Sequence, residues 1–277
     1  MAESQSQGLA FLAKTDNARQ IANILSSLHV KKDIEAYVVA ESSGLRFTVQ
    51  KHNCLQMHVY LKRELFNVLE CDAKHEFGIN LTLLLECLNI FQTSTNFVAL
   101  QISYAGEGKP LLLVMTDSGV VSKGGIHTQE VEEPADFCWA QSSLASRMIV
   151  TSVALKEALQ ELEWWGEALN LSLTADEPHV RMTSKGQHGT CEIEFAASSE
   201  AVQEFECEKA SAMSYRFTLV ATVFKALSLS EKACLRVNEA GMLSMQLMIK
   251  DETAVTTFVE VLICADVMDE DGMHQDF

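Results

Sequence analysis

INLTLLLECLNIF, residues 79–91, reads as a helix set among strands. Leu81, Leu84, Leu85 and Leu88 recur at the three- and four-residue spacing that places them on one face. Three other short segments share this spacing. Residues 17–29 align Ala18, Ile21, Ala22, Leu25 and Leu28 behind a Thr15 or Asp16 cap, and residues 152–163 align Leu155, Ala158, Leu159 and Leu162 behind Thr151 or Ser152. Residues 220–229 align Val220, Val223, Phe224 and Leu227. The rest of the chain alternates apolar and polar residues, as half-buried strands do, at 34–40, 45–49, 169–173, 191–195, 213–219, 234–237, 242–249 and 255–263. Turn signals separate these runs at Ser42-Ser43-Gly44, Gly106-Glu107-Gly108, Asp117-Ser118-Gly119, Asp176-Glu177-Pro178 and Glu239-Ala240-Gly241.

The order of these elements repeats. Residues 8–127 read strand, helix, four strands, helix, three strands, and residues 145–263 read the same way at an offset of about 135. The segment TQEVEEPA, 128–135, is acidic, contains Pro134 and lacks periodicity, so it is expected to connect two copies of one domain. The expected boundaries are 1–127 for the first domain, 128–135 for the connector, 136–265 for the second domain and 266–277 for an acidic tail. Two helices against many antiparallel strands in each copy make the fold class α+β.

Composition narrows the function. The chain has 277 residues, 48% of them hydrophobic, enough to build a sizeable core. Eight cysteines occur with no CxxC pair, and they are expected to act as small core residues of a reduced intracellular protein. The polar start MAESQSQG has no apolar core of a signal peptide, and no stretch is long and apolar enough to span a membrane. The formal charge of −17 argues, taken alone, against a nucleic-acid binder, because phosphate contacts need Lys and Arg.

The 79–91 segment also carries a family resemblance. Its Asn-Leu-Thr run leads into Leu-Leu, an acidic residue, Cys-Leu and a terminal Ile-Phe. This resembles the second helix of the radiation-sensitive-one subunits of the nine-one-one checkpoint clamp. GKPLLLVM (108–115), GVVSKGGIHTQEVEEPADF (119–137) and MLSMQLMI (242–249) resemble the same family, and the similarity runs thinly over residues 9–265. The resemblance implies a fold like the proliferating-cell nuclear antigen, with two tandem clamp-type domains per subunit and three subunits in a ring. Helices would line the hole and strands form the outer wall. It further implies two related clamp subunits as partners, a checkpoint clamp loader, double-stranded DNA through the ring, and recruited repair and checkpoint proteins in the nucleus. No membrane and no cofactor are implied.

Charge placement bears on that expectation. The four helical segments together carry a net charge of about −2, so most of the acidity lies elsewhere: in the connector, a loop at 200–208 and the tail. Lys14, Lys31, Lys32, Arg147 and Arg216 flank the helix ends. Arg19, Lys156 and Lys225 are the candidate DNA-facing residues, and Gln20, Asn23, Ser26 and Ser27 would offer water-bridged contacts on the outer face of the first helix. Weak, sequence-independent phosphate contacts of this kind permit sliding.

The resemblance also implies closure by edge-strand pairing. The candidate subunit interface is the first domain's last strand, with Val120, Val121 and Ile126, and a second-domain edge with Cys191, Ile193 and Phe195. Val131 in the connector is the candidate client-groove residue. Of Trp164 and Trp165, one is expected to cap the core and the other to be exposed for a partner.

No catalytic or metal residues are assigned. Some members of the resembling family are credited with 3′-to-5′ exonuclease activity, but Glu130, Glu132 and Glu133 lie in the connector and Asp269–Asp271 in the tail, as solvated charge runs do. His52, Cys54 and His58 share parity on an expected strand, without an evident fourth zinc ligand. The expected function is therefore a non-catalytic subunit of a heterotrimeric, DNA-encircling checkpoint clamp. The alternatives are a 3′-to-5′ DNA exonuclease and a subunit of a homotrimeric replication clamp.

Overall fold

The computed structural model describes residues 8–91, 97–130, 132–250 and 255–266. The first copy runs β1 (Phe11–Thr15), α1 (Ala18–Ser26), β2 (Glu35–Glu41), β3 (Gly44–Lys51), β4 (Leu55–Lys62), β5 (Val68–Cys71), β6 (His75–Asn80), α2 (Leu81–Leu88), β7 (Ala99–Tyr104), β8 (Leu111–Asp117) and β9 (Val120–Ile126). The second runs β10 (Leu144–Thr151), α3 (Ser152–Glu163), β11 (Ala168–Leu173), β12 (Val180–Gly186), β13 (Gly189–Phe195), β14 (Val202–Cys207) and β15 (Ser211–Arg216). It continues with α4 (Phe217–Val220), a 3₁₀ turn (Ala221–Val223), α5 (Phe224–Leu229), β16 (Lys232–Asn238), β17 (Leu243–Lys250) and β18 (Thr256–Ile263). Five strands, not the expected four, separate the helices in each copy. The additions are β5, only four residues long, and β14, which occupies the acidic stretch expected to be a loop.

Sheet order makes the repeat explicit. The array β5-β1-β7-β8-β9 recurs as β14-β10-β16-β17-β18, and β4-β3-β2-β6 recurs as β13-β12-β11-β15. By density of contacts the chain forms two compact units: Met1–Val49 with His58–Pro134 and Asp251–Thr257, and Gln50–Met57 with Ala135–Lys250 and Phe258–Phe277.

Within the first unit, α1 and α2 pack on each other, and α2 also touches β2, β6 and β9. Leu81, Leu84, Leu85 and Leu88 are all buried, as their spacing requires. Each such side chain contributes about 1.5–3 kcal/mol through burial. A hydrogen-bonded link fastens the pair: the Thr82 hydroxyl lies 3.0 Å from both His29 Nε2 and the Asp33 backbone N–H. The α1 cap is Asn17 rather than Thr15 or Asp16, its side-chain oxygen accepting from the Gln20 N–H at 3.1 Å. Asn80 caps α2 in the same way, accepting from the Leu83 N–H at 2.9 Å. Asn17→Ala and Asn80→Ala should each lower stability by about 1 kcal/mol in denaturant titrations, the usual cost of a lost N-cap.

In the second unit α3 spans the expected residues, with Leu155, Ala158, Leu159 and Leu162 buried, and packs on α5 and on strands β10 to β13. Thr151 stands at its cap position without a side-chain hydrogen bond. The last helical segment departs from expectation. It begins at Phe217, inside a run that alternates like a strand, and is interrupted by the 3₁₀ turn. There the Thr222 hydroxyl donates to the Leu219 carbonyl at 2.6 Å, a local bond that competes with regular helix.

Candidate subunit edges and helix faces

A sheet edge presents unpaired N–H and C=O groups, so every edge must be covered, blunted or used. The chain covers two of its own. Gly78 in β6 exchanges both backbone hydrogen bonds with Gln129, at 2.8 and 2.9 Å. Asp266 donates to the Ser214 carbonyl of β15 at 2.7 Å. The repeat relates Gly78 to Ser214 and Gln129 to Asp266, so in each copy the segment after the last strand meets the same edge at the same position. Strand β5 is blunted by its shortness, and β14 by exposed Glu204 and Glu206, which Arg147 engages at 3.0 and 3.7 Å.

Strands β9 and β13 are terminal in their arrays, and no strand pairs with their outer sides among the described residues. The hairpin β8–β9 turns through Ser118 and Gly119, both at positive φ (48° and 86°), which fits a two-residue primed turn. Val120 and Val121 follow, 61% and 53% exposed. Consecutive strand residues project to opposite faces, so apolar surface lies on both sides of this edge. Gly124 and Gly125 come next. A Cβ at either would meet only side-chain atoms, the nearest at 3.5 and 3.4 Å, so the chain's own packing does not demand glycine there. Glycine inside a strand marks a place another backbone can approach closely.

The β13 edge is more polar. Thr190, Glu192 and Glu194 are exposed, and Arg181 of β12 engages both glutamates, at 3.6 and 2.9 Å. Of the six residues expected at subunit contacts, Val120 and Val121 offer whole side chains, and Cys191 and Ile193 are half-buried. Ile126 and Phe195 are buried in their own units and offer an edge only their backbone.

The connector is held at both ends. Besides Gln129, the Thr128 hydroxyl donates to the Lys109 carbonyl at 2.9 Å, and Ala135 bonds to the Gln50 and Gln56 side chains at 3.1 and 3.0 Å. The Tyr37 phenol in β2 is pushed up to about 12, first by burial, then by its hydrogen bond to Glu76, with a smaller push from Glu133 of the connector. Val131 lies outside the described residues. Further along, Trp139 sits 5.3 Å from the Arg236 guanidinium, which also bonds Glu260 at 2.6 Å and Ser244 at 2.8 Å.

The helix faces are sparsely cationic. Arg19 on α1 and Lys225 on α5 are exposed, while Lys156 on α3 is half-buried. Against these three cations the helices carry Glu86, Glu157, Glu161 and Glu163. On α1, Asn23 is exposed and Gln20 and Ser26 are partly so. Ser27 is corrected: it is 1% exposed and donates to the Ile24 carbonyl, because it faces the core side of the turn. Sequence reasoning missed the outward face of α2, where Leu83, Glu86 and Ile90 project, and Phe97 beyond it at 75% exposed. The three-residue spacing of Leu83 and Glu86 opposite the buried stripe was the available signal.

The expected alignment of His52, Cys54 and His58 does not occur. Residues 52–54 form the β3–β4 turn, His52 has φ 50°, and His58 bonds Thr48 instead. Among the described residues, no three His, Cys, Asp or Glu side chains gather as a metal-holding group.

The pattern of doubled arrays and paired edges has known counterparts. Residues 10–249 match the family described as Repair protein Rad1/Rec1/Rad17. The chain belongs to this family. It is 32% identical over 268 residues to the mouse protein named cell cycle checkpoint protein RAD1, covering 95% of each chain. A more distant relative, named DNA repair exonuclease REC1, from Mycosarcoma maydis, is 25% identical over 193 residues, 58% of this chain and 41% of that protein. Among solved structures, the proliferating cellular nuclear antigen of Entamoeba histolytica superposes with a TM-score of 0.76 at 18% identity, over 94% of this chain and all of that one. The family member described here therefore has the sliding-clamp fold, α+β with two tandem clamp-type domains, and its family is one of DNA damage checkpoint and repair.

Proposed function

We propose that this chain is a non-catalytic subunit of a heterotrimeric, DNA-encircling checkpoint clamp in the nucleus. The observation that carries the reading is the pair of edges, β9 and β13, that no strand covers among the described residues, in a chain whose own later segments bond to its β6 and β15 edges. One edge per neighbour suits a ring whose subunits join by sheet extension. The neighbours would be two related clamp subunits rather than further copies of this chain. Three such copies would present more carboxylates than cations on the helices facing the hole, on top of a formal charge of −17 each. Positive charge toward double-stranded DNA must then come largely from the partners. Arg19, Lys156 and Lys225 would supply weak phosphate contacts, a checkpoint clamp loader would open the ring, and the connector around Val131 would receive repair and checkpoint clients.

The test is topological. The three-subunit complex, loaded by its loader onto nicked circular DNA, should stay bound through a high-salt wash and be lost when one cut linearises the circle. Release by salt from the intact circle would indicate ordinary electrostatic binding and contradict encirclement. An exonuclease reading draws its support from the name of the Mycosarcoma maydis relative. It would require metal-dependent loss of labelled 3′ ends that one carboxylate substitution abolishes.

A further inference from the structure

None of the eight cysteines joins the core: seven are half-buried and Cys138 is exposed. Thiols partly open to solvent are accessible to oxidants, and the product depends on whether a second thiol lies near. The strand register keeps most of them apart. Cys71 stands opposite Phe11, Cys191 opposite Ser184, Cys207 opposite Ser146 and Cys234 opposite Ile149 and Gln246. None of these four faces another cysteine.

Cys54 and Cys264 are the exception. Both belong to the second compact unit, Cys54 immediately before β4 and Cys264 immediately after β18. The Cys264 N–H donates to the Cys54 carbonyl at 2.9 Å. A backbone bond between two opposed residues sets their Cα atoms about 5.5 Å apart. Disulfides span Cα separations of about 4.4–6.8 Å, so this spacing suits one. Both thiols also lie against the same turn. Cys54 Sγ donates to the Lys51 carbonyl at 3.5 Å, and Cys264 Sγ to the Asn53 carbonyl at 3.4 Å. A thiol is a weak donor, so a side-chain rotation releases either bond at little cost. Burial pushes the Cys264 thiol up, and the neighbouring Cys54 adds to that push.

We propose that Cys54 and Cys264 form a redox-sensitive pair that a peroxide closes into a disulfide, tying the start of β4 to the end of β18. One thiolate attacks a peroxide oxygen, the O–O bond breaks, and a sulfenic acid forms as one water leaves. The other thiolate attacks that sulfur, the S–O bond breaks, and a second water leaves as the S–S bond forms. Two thiols are oxidised and one peroxide is reduced to two waters. In a reducing compartment the thiols persist until oxidant appears, and thiol exchange restores them. The bond closes two residues before Asp266, which donates to the Ser214 carbonyl of β15. Oxidation therefore fastens the segment that meets this edge. The inference rests on one pair of thiols and holds whether or not the chain closes a ring.

Hydrogen peroxide treatment of the full chain, followed by alkylation of the remaining thiols and tryptic mapping without reductant, tests it. Cleavage after Lys51, Lys62 and Lys250 leaves Cys54 alone in residues 52–62 and Cys264 alone in residues 251–277. These two peptides should appear joined, about tenfold or more above any other cysteine pairing, and dithiothreitol should part them. The cross-link should raise the melting temperature by about 5 °C, since it closes a long loop of the unfolded chain. Cys54→Ser and Cys264→Ser should each abolish that rise, while Cys138→Ser, at the exposed cysteine, should leave it intact. The peptide map needs only the parent chain, so it decides the matter even if a variant folds poorly. Three results overturn the proposal: cross-links spread evenly over other cysteines, a dimer linked through either residue, or both thiols reaching sulfinic acid without joining.

Discussion

Val120→Glu together with Val121→Glu should abolish assembly of this chain with its partner subunits while leaving the isolated chain folded. Both valines are more than half exposed in the free chain, so charging them removes little core packing. In a ring they would be covered on both faces of a seven-residue edge. Each glutamate would then have to lose its water without a partner, a cost of about 2–3 kcal/mol or more. Two such costs amount to roughly a thousandfold or greater loss in affinity. Calorimetric titration of the double variant into either related subunit should show no binding at one interface, with the melting temperature within about 2 °C of the parent. Undiminished assembly would mean that β9 is not a subunit edge.

The second large effect is on stability. Gly186→Ala would place a Cβ 1.8 Å from the Trp165 carbonyl oxygen. That atom is backbone, and Gly166 on the same side is equally confined, its own Cβ position lying 2.3 Å from the Lys185 carbonyl oxygen. Neither the α3–β11 connection nor β12 can yield without pulling the end of α3 off the β12–β13 hairpin. A loss of about 3 kcal/mol is expected, or roughly 10 °C in melting temperature for a unit of this size. Gly124→Ala is the contrast. Its Cβ would touch Cys87 Sγ at an ordinary 3.5 Å, so stability should change by less than about 0.5 kcal/mol. Equal melting temperatures for the two variants would show that the Gly166–Gly186 contact is less tight than described.

These effects rest on features of different legibility. Helix α3 was readable to the residue, because Leu155, Ala158, Leu159 and Leu162 keep a clean 3.6 period. The last helix was not, since its turn at Ala221–Val223 breaks that period and Phe217 continues the preceding strand's alternation. Strand β14 hid among glutamates, and a register shift between Ile149 and Val150 of its partner blurs its alternation. The repeat was legible as element order, but which edges the chain closes itself depends on Gln129 and Asp266 meeting β6 and β15, contacts far apart in sequence. The helix cations could be named but not placed, because spacing does not say that Lys156 is half-buried while Arg19 and Lys225 are exposed. Trp164 lay within reach of periodicity, three turns after Val153 on the outward face.

The most direct test of the account is the mass of the purified chain by light scattering, alone and then mixed with the two related clamp subunits. The account predicts a monomer near 30.7 kDa that converts to a one-to-one-to-one complex. A stable trimer of this chain alone, or a monomer indifferent to both partners, would contradict it.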